Sequence, residues 1–206
     1  TGTITYKGQD ITFATPKEKR EKKIGYVPQD RLATGCSTDC SLVENCIMGY
    51  HVAHRFRNPL LVNKKEAEDF TRKVVEQFQV KIQDIHDKMG TLSGGNIQKA
   101  VLARELSGSP RVIIADQPTR GVDVGATEFI RRRLVEMRDE GNGVILVTSD
   151  LNEVLGLSDS LIVMYEGRIV AYISDTSRMT ENQLGTYMLG IQVQSEEEIK
   201  EARHEQ

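Results

Sequence analysis

The sequence predicts an α/β protein with a mostly parallel core sheet, an N-terminal β-hairpin and a helical lobe inserted between two strands. Three observations carry this. Short apolar, largely β-branched runs (Ile24 to Val27, Val112 to Ala115, Val144 to Val147) read as strands separated by helical patterns. The stretch Thr91-Leu92-Ser93-Gly94-Gly95-Asn96-Ile97-Gln98-Lys99 puts a serine and two glycines just ahead of a helical run. Farther on, the run Val112-Ile113-Ile114-Ala115 ends in the carboxylate of Asp116.

Taken in order, residues 3–13 read as a hairpin, with Lys7-Gly8-Gln9-Asp10 as the turn. Pro16 and the charged run Lys17 to Lys23 suggest a short helix or a solvated loop. The strand from Ile24 stops at Pro28 and delivers Gln29 to a loop, Asp30 to Asp39, expected to be mobile. Helical character begins at Ser41. Asn63-Lys64-Lys65-Glu66 has capping-box spacing, and Ala67, Phe70, Val74 and Phe78 recur at helical intervals, a stripe read as core packing.

Ile97 to Leu106 is helical with Ser93 as N-cap. Pro118 to Asp123 is a tight polar loop, and a helix from Ala126 to Arg138 ends at Gly141-Asn142-Gly143. Val144 to Val147 reads as a buried strand. Residues 151–157 form a short helix; Leu161 to Tyr165 and Arg168 to Ile173 pair around Glu166-Gly167. Helix resumes near Glu181 to Leu189, and the charged tail from Ser195 frays or extends as a solvated helix. The chain is thus expected to be one domain: residues 1–30 hairpin and Gln29 strand, 31–95 helical lobe, 96–190 core α/β, 191–206 tail.

Two stretches carry chemistry. Ser93 caps a helix, and the glycines after it keep first-turn N–H groups uncovered; these lack intrahelical partners and sit at the positive end of the helix dipole, which suits a phosphate. A strand ending in Asp116 suits a magnesium ligand at the carboxyl edge of a parallel sheet.

The 206 residues are 38% hydrophobic, enough for a domain with a core, and a net charge of −3 argues against nucleic acid as a partner. The run Arg131-Arg132-Arg133 is read as the solvated face of a helix. No apolar stretch reaches the roughly twenty residues of a membrane span. Cys36, Cys40 and Cys46, with His51 and His54 after them, fit no common zinc spacing and are read as reduced thiols.

Together, the Ser93-Gly94-Gly95 and Asp116 stretches resemble the signature motif and Walker B strand of the ATP-binding-cassette (ABC) ATPases, a P-loop-NTPase-like fold. The resemblance covers nearly the whole chain and implies ATP and Mg²⁺ as cofactors. It makes Gln29 the Q-loop glutamine, able to ligate magnesium beside Asp116. It places Ser93, Gly94 and Gly95 over the γ-phosphate of ATP held by an opposing cassette, and Gly121 to Asp123 in the D-loop at the cassette interface. The string Gln117-Pro118-Thr119-Arg120-Gly121-Val122-Asp123-Val124-Gly125-Ala126 resembles the second cassette of sugar- and nucleoside-type importers.

Three departures qualify it. No G-x-x-x-x-G-K-[ST] occurs, so the Walker A segment is absent, and the chain, opening on Thr1, is expected to begin downstream of it. Gln117 stands where the family usually has a catalytic glutamate, and a neutral amide cannot usefully take a proton from water. Ser149 stands at the switch-histidine position, and none of His51, His54, His86 or His204 replaces it by sequence position.

The resemblance therefore implies an ATP-binding part of an ABC importer, coupling ATP binding and hydrolysis to uptake of a sugar or nucleoside. Its catalytic site is weakened at Gln117 and Ser149, and the chain alone is expected to be inactive. The alternative is a non-catalytic nucleotide clamp and permease-coupling module. Either way the implied partners are a second cassette, transmembrane permease subunits and an extracytoplasmic solute-binding protein, at the cytoplasmic face of the membrane.

Overall fold

The computed structural model describes residues 2–51, 56 and 61–204, which fall into two compact units, residues 1–147 and 148–206. The expectation for His54 lies outside the described residues.

The first unit opens with a two-stranded hairpin, β1 (Thr5–Tyr6) and β2 (Gln9–Asp10). Its turn is shorter than the sequence suggested. Lys7 and Gly8 alone make it, both with positive φ (49° and 75°), which suits the right-handed twist of flanking strands. Helix α1 (Pro16–Glu21) starts on a reciprocal cap: Thr15 Oγ1 accepts from the Glu18 N–H at 3.3 Å, and Glu18 Oε2 from the Thr15 N–H at 2.6 Å.

Strands β3 (Ile24–Val27), β4 (Val112–Asp116) and β5 (Gly143–Val147) form a parallel sheet in that order. Ile113 and Ala115 of the central strand are fully buried, and their neighbours Val112 and Ile114 half-buried. Strand β5 departs from the buried reading. Among the described residues it pairs on one side only, with β4, and Ile145 is 53% and Val147 48% exposed. A β-branched run reports strand propensity, not how many of its faces are covered.

Between β3 and β4 the chain builds the inserted helices. The stretch after Asp30, read as a loop, opens with a π-helical turn, Arg31–Gly35. Helix α2 (Leu42–Ile47) carries a Ser41/Glu44 capping box, and α3 (Lys64–Gln77) starts at Asn63, whose Oδ1 accepts from the Glu66 N–H at 3.3 Å. The stripe Ala67, Phe70, Val74 and Phe78 is buried, as its periodicity implied.

Helix α4 (Gly94–Ser107) is the axis of this unit, and it is buried nearly all round rather than on one stripe. Leu102 and Ala103 are fully covered, and one continuous core joins α2, α3, α4, the sheet and α5 (Val124–Asp139). Inside it lies a charge cluster. Glu105, with no exposed surface, accepts from Arg104 Nε at 2.9 Å and Arg20 Nη2 at 3.1 Å. The Arg20 guanidinium in turn lies 5.5 Å from the Tyr50 ring centre.

The expected solvated face at Arg131 to Arg133 is only partly that. Arg133 lies over the Phe78 and Phe129 rings and donates to Gln77 O at 2.7 Å, closing the end of α3.

The second unit contains α6 (Leu151–Leu157), the hairpin β6 (Leu161–Tyr165) and β7 (Arg168–Ile173), α7 (Glu181–Met188) and α8 (Glu196–His204). The hairpin turns on Glu166 and Gly167, both at positive φ, where the sequence placed it. Val163, Val170, Ala171 and Leu184 form its small core.

Candidate functional site

Parallel pairing of Val27 with Ala115 sends Gln29 and the Asp116-Gln117 pair out over the same carboxyl edge of the sheet. Gln29 is exposed at a bend behind buried Pro28. Asp116 is half-buried and accepts a hydrogen bond from the Tyr26 phenol. Tyr26 pairs with Ile114, two residues before Asp116, so both side chains lie on one face. Burial first, and then the Asp116 charge, push the Tyr26 phenol above its usual range. The donors at this edge, a carboxylate and an exposed amide oxygen, are the hard oxygen ligands that suit Mg²⁺.

Gln117 is held in the left-handed region, φ 47°, and its N–H donates to Val147 O at 2.8 Å. A side chain next to the strand end is thereby turned out of the strand's alternation.

At the start of α4, the Ser93 Oγ accepts from the Asn96 N–H at 3.4 Å and Asn96 Nδ2 at 2.9 Å. Asn96 Oδ1 takes the Lys81 N–H at 2.9 Å, fastening the helix start to the chain ahead of it. Ser93 is exposed, Gly94 half-buried and Gly95 buried. Gly95 therefore does more than uncover N–H groups: it lets α4 close onto Asp123 and Ala126. Asp123 caps α5 through its Oδ1, 2.9 Å from the Ala126 N–H, and that backbone bond holds its carboxyl below the usual range.

The structure thus brings Ser93, Gly94 and Gly95 together with Asp123, and Gln29 together with Asp116 and Gln117 at one sheet edge. Ser149 belongs to the second unit, exposed just ahead of Asp150, whose Oδ1 caps α6 by accepting from Asn152 and Glu153. Two residues escaped the sequence reading. Tyr26 was legible in principle, since strand alternation puts it in phase with Asp116 once the register is known. Arg31, which bonds to the loop before α5, gave no signal: its partners lie 89 and 90 residues away.

A parallel sheet with a carboxylate at its edge, an inserted helical lobe and a capped Ser-Gly-Gly helix start define an ATP-binding-cassette module. The profile of the ABC transporter family matches residues 1–120, and the chain belongs to that family. It is 38% identical over 189 residues to the guanosine import ATP-binding protein NupO of Bacillus subtilis, spanning 92% of this chain and 37% of NupO. It is 39% identical over 191 residues to the glucose import ATP-binding protein TsgD13 of Haloferax volcanii, spanning 92% of this chain and 34% of that protein. The ribose import ATP-binding protein RbsA of Lactococcus lactis subsp. cremoris is 36% identical over 187 residues, 90% of this chain and 38% of that one. The chain therefore spans little more than a third of these relatives.

Among solved structures, the ATP-binding cassette MJ1267 of an ABC transporter superposes with TM-score 0.72 at 23% identity, covering 93% of this chain and 76% of that one. A dimeric post-hydrolysis state of the cassette MJ0796 bound to ADP and Pi gives TM-score 0.66 at 22% identity, covering 84% and 72%. Likeness at this identity is a likeness of fold.

Proposed function

We propose that this chain is the ATP-binding cassette part of an importer, coupling ATP binding and hydrolysis to uptake of a sugar or nucleoside. The observation that carries this reading is the capped, exposed Ser93 at the head of α4, braced through Gly95 against Asp123. Such a face can cap phosphates held by another cassette.

Asp116 and Gln29 would hold Mg²⁺, which neutralises charge developing on a transferring phosphoryl group. Gln117 orients water but does not accept its proton, and Ser149 offers a hydroxyl instead of an imidazole, so a site built on this cassette binds ATP and turns it over slowly. The relatives named for guanosine, glucose and ribose import support the substrate class. Permease subunits, a solute-binding protein and a cytoplasmic-face location follow from the same reading.

The test is transport. Disrupting the coding sequence in the native genome and measuring uptake of labelled ribose, glucose and guanosine should abolish uptake of at least one. Unchanged uptake of all three and of other pentoses, hexoses and nucleosides would overturn the proposal.

A further inference from the structure

Arg31 leaves the turn that follows Gln29 and grips the loop before α5. Its Nη1 donates to Arg120 O at 2.8 Å and its Nη2 to Gly121 O at 3.1 Å, a fork on two successive carbonyls. A lysine cannot reproduce that planar double contact. A Cβ on Gly94 would stand 2.8 Å from the same Nη2, so the guanidinium fits beside the start of α4 because position 94 has no side chain. Among the described residues no carboxylate pairs with this cation, and its buried Nε has no hydrogen-bond partner.

The base of the arginine is held just as firmly. Asp30 Oδ1 accepts from the Leu32 and Ala33 N–H groups at 3.0 and 2.9 Å, and Asp30 O accepts from Thr34 and Gly35, both at 3.1 Å. Buried Gly35 has Pro28 and the Arg31 Cβ close against it. One end of Arg31 is thus fixed to the Gln29 turn and the other to residues 120 and 121.

We propose that Arg31 is a positioning residue that couples these two segments: a displacement of the turn after Gln29 is passed through the guanidinium to the Arg120 and Gly121 carbonyls, and so to Asp123 and Gly95. This rests on the importer reading for its use. There it makes the magnesium-side glutamine and the interface loop move as one body.

The loop has two internal reporters, the Arg120 N–H to Gln117 O at 3.1 Å and the Val122 N–H to Thr119 O at 3.4 Å. Amide exchange followed by NMR on the 206-residue chain reads their opening. Arg31→Ala should raise exchange at both amides about tenfold, the loss of two charge-assisted bonds, with β4 amides unchanged. Asp30→Ala touches neither 120 nor 122, yet should raise exchange at the same two amides, and the double variant should exceed neither single by much. Unchanged exchange at 120 and 122 in Arg31→Ala overturns the proposal. So does an Asp30→Ala chain that frees residues 31–35 while leaving 120 and 122 protected, or additive effects in the double variant. Should Arg31→Ala fail to fold, Arg31→Lys with Asp30→Ala carries the same comparison.

In cells disrupted for this chain, complementation with Arg31→Lys should restore uptake at least about fivefold less well than wild type at equal protein level. Full uptake with a loosened loop overturns the functional coupling. An intact uptake phenotype before complementation instead removes the importer reading, and the exchange data still decide whether Arg31 couples the segments.

Discussion

Gly95 and Asp123 meet so closely that a Cβ on the glycine would stand 2.7 Å from Asp123 Oδ2 and 3.1 Å from the Ala126 Cβ. Neither contact can relax by swinging a long side chain, since Asp123 is bound to the start of α5 through the Ala126 N–H. In an open helix, Gly→Ala stabilises by about 1 kcal/mol. Here the sign should reverse, with Gly95→Ala lowering urea-unfolding stability by about 1–3 kcal/mol. A stabilised variant would show that α4 and α5 have more room between them than this geometry allows.

Glu105 supplies a second expectation. It has no exposed surface and takes one hydrogen bond from each of two arginines. Glu105→Ala strands both cations around a cavity and should cost about 3–5 kcal/mol in a urea or thermal melt. The near-isosteric Glu105→Gln should recover part of that. A loss below about 1 kcal/mol would mean the arginines find water instead.

Cys46 makes stability depend on alkaline pH. Burial pushes its thiol from about 9 up to about 11, with the Thr71 hydrogen bond and the Arg104 charge opposing. The folded pKa is raised, so this contribution is complete below pH 9 and is lost as pH rises from 9 toward 11. Across that window, unfolding free energy should fall by about 2–3 kcal/mol through this group. Cys46→Ala should flatten that part of the curve, measured by urea titration at pH 8 and 10.5.

Gln117 divides a slow enzyme from a clamp. In the importer proposed above, Gln117→Glu would place a proton acceptor beside Asp116 without altering the left-handed backbone at 117. A rise in ATP turnover of about tenfold or more is expected. No change would favour the clamp.

The chain by itself should not bind Mg-ATP at micromolar concentrations, because the donors that cradle β- and γ-phosphates are absent from its sequence. Calorimetry decides this. Stoichiometric micromolar binding would place a phosphate site away from Ser93, Gly94 and Gly95.

Local chemistry was easy to read in the sequence. The Glu166-Gly167 turn, the Ser93 and Asn63 caps and the Ala67–Phe78 stripe each depend on residues within a turn or two of one another. What stayed hidden depends on distant neighbours. Ile145 and Val147 look like core residues until the pairing of β5 is known, and Arg133 looks like a surface charge until Phe78 lies beneath it. Arg31 is the extreme case, an ordinary arginine after an Asp cap until Arg120 and Gly121 fold back onto it.

The insertion of the helices between β3 and β4 also sets a timetable. During synthesis β3 emerges first and must wait for its parallel partner while roughly ninety further residues are added, on the order of 5–20 s at the ribosome. Throughout that interval Val27 and Tyr26 lack the β4 strand that the finished sheet sets beside them. The shortness of β3 and the proline at its end limit the chance that a neighbouring nascent chain takes the vacant place. The rate at which α2 to α4 assemble, rather than the strength of the finished sheet, should then govern how much of the protein reaches its native state in a crowded cell.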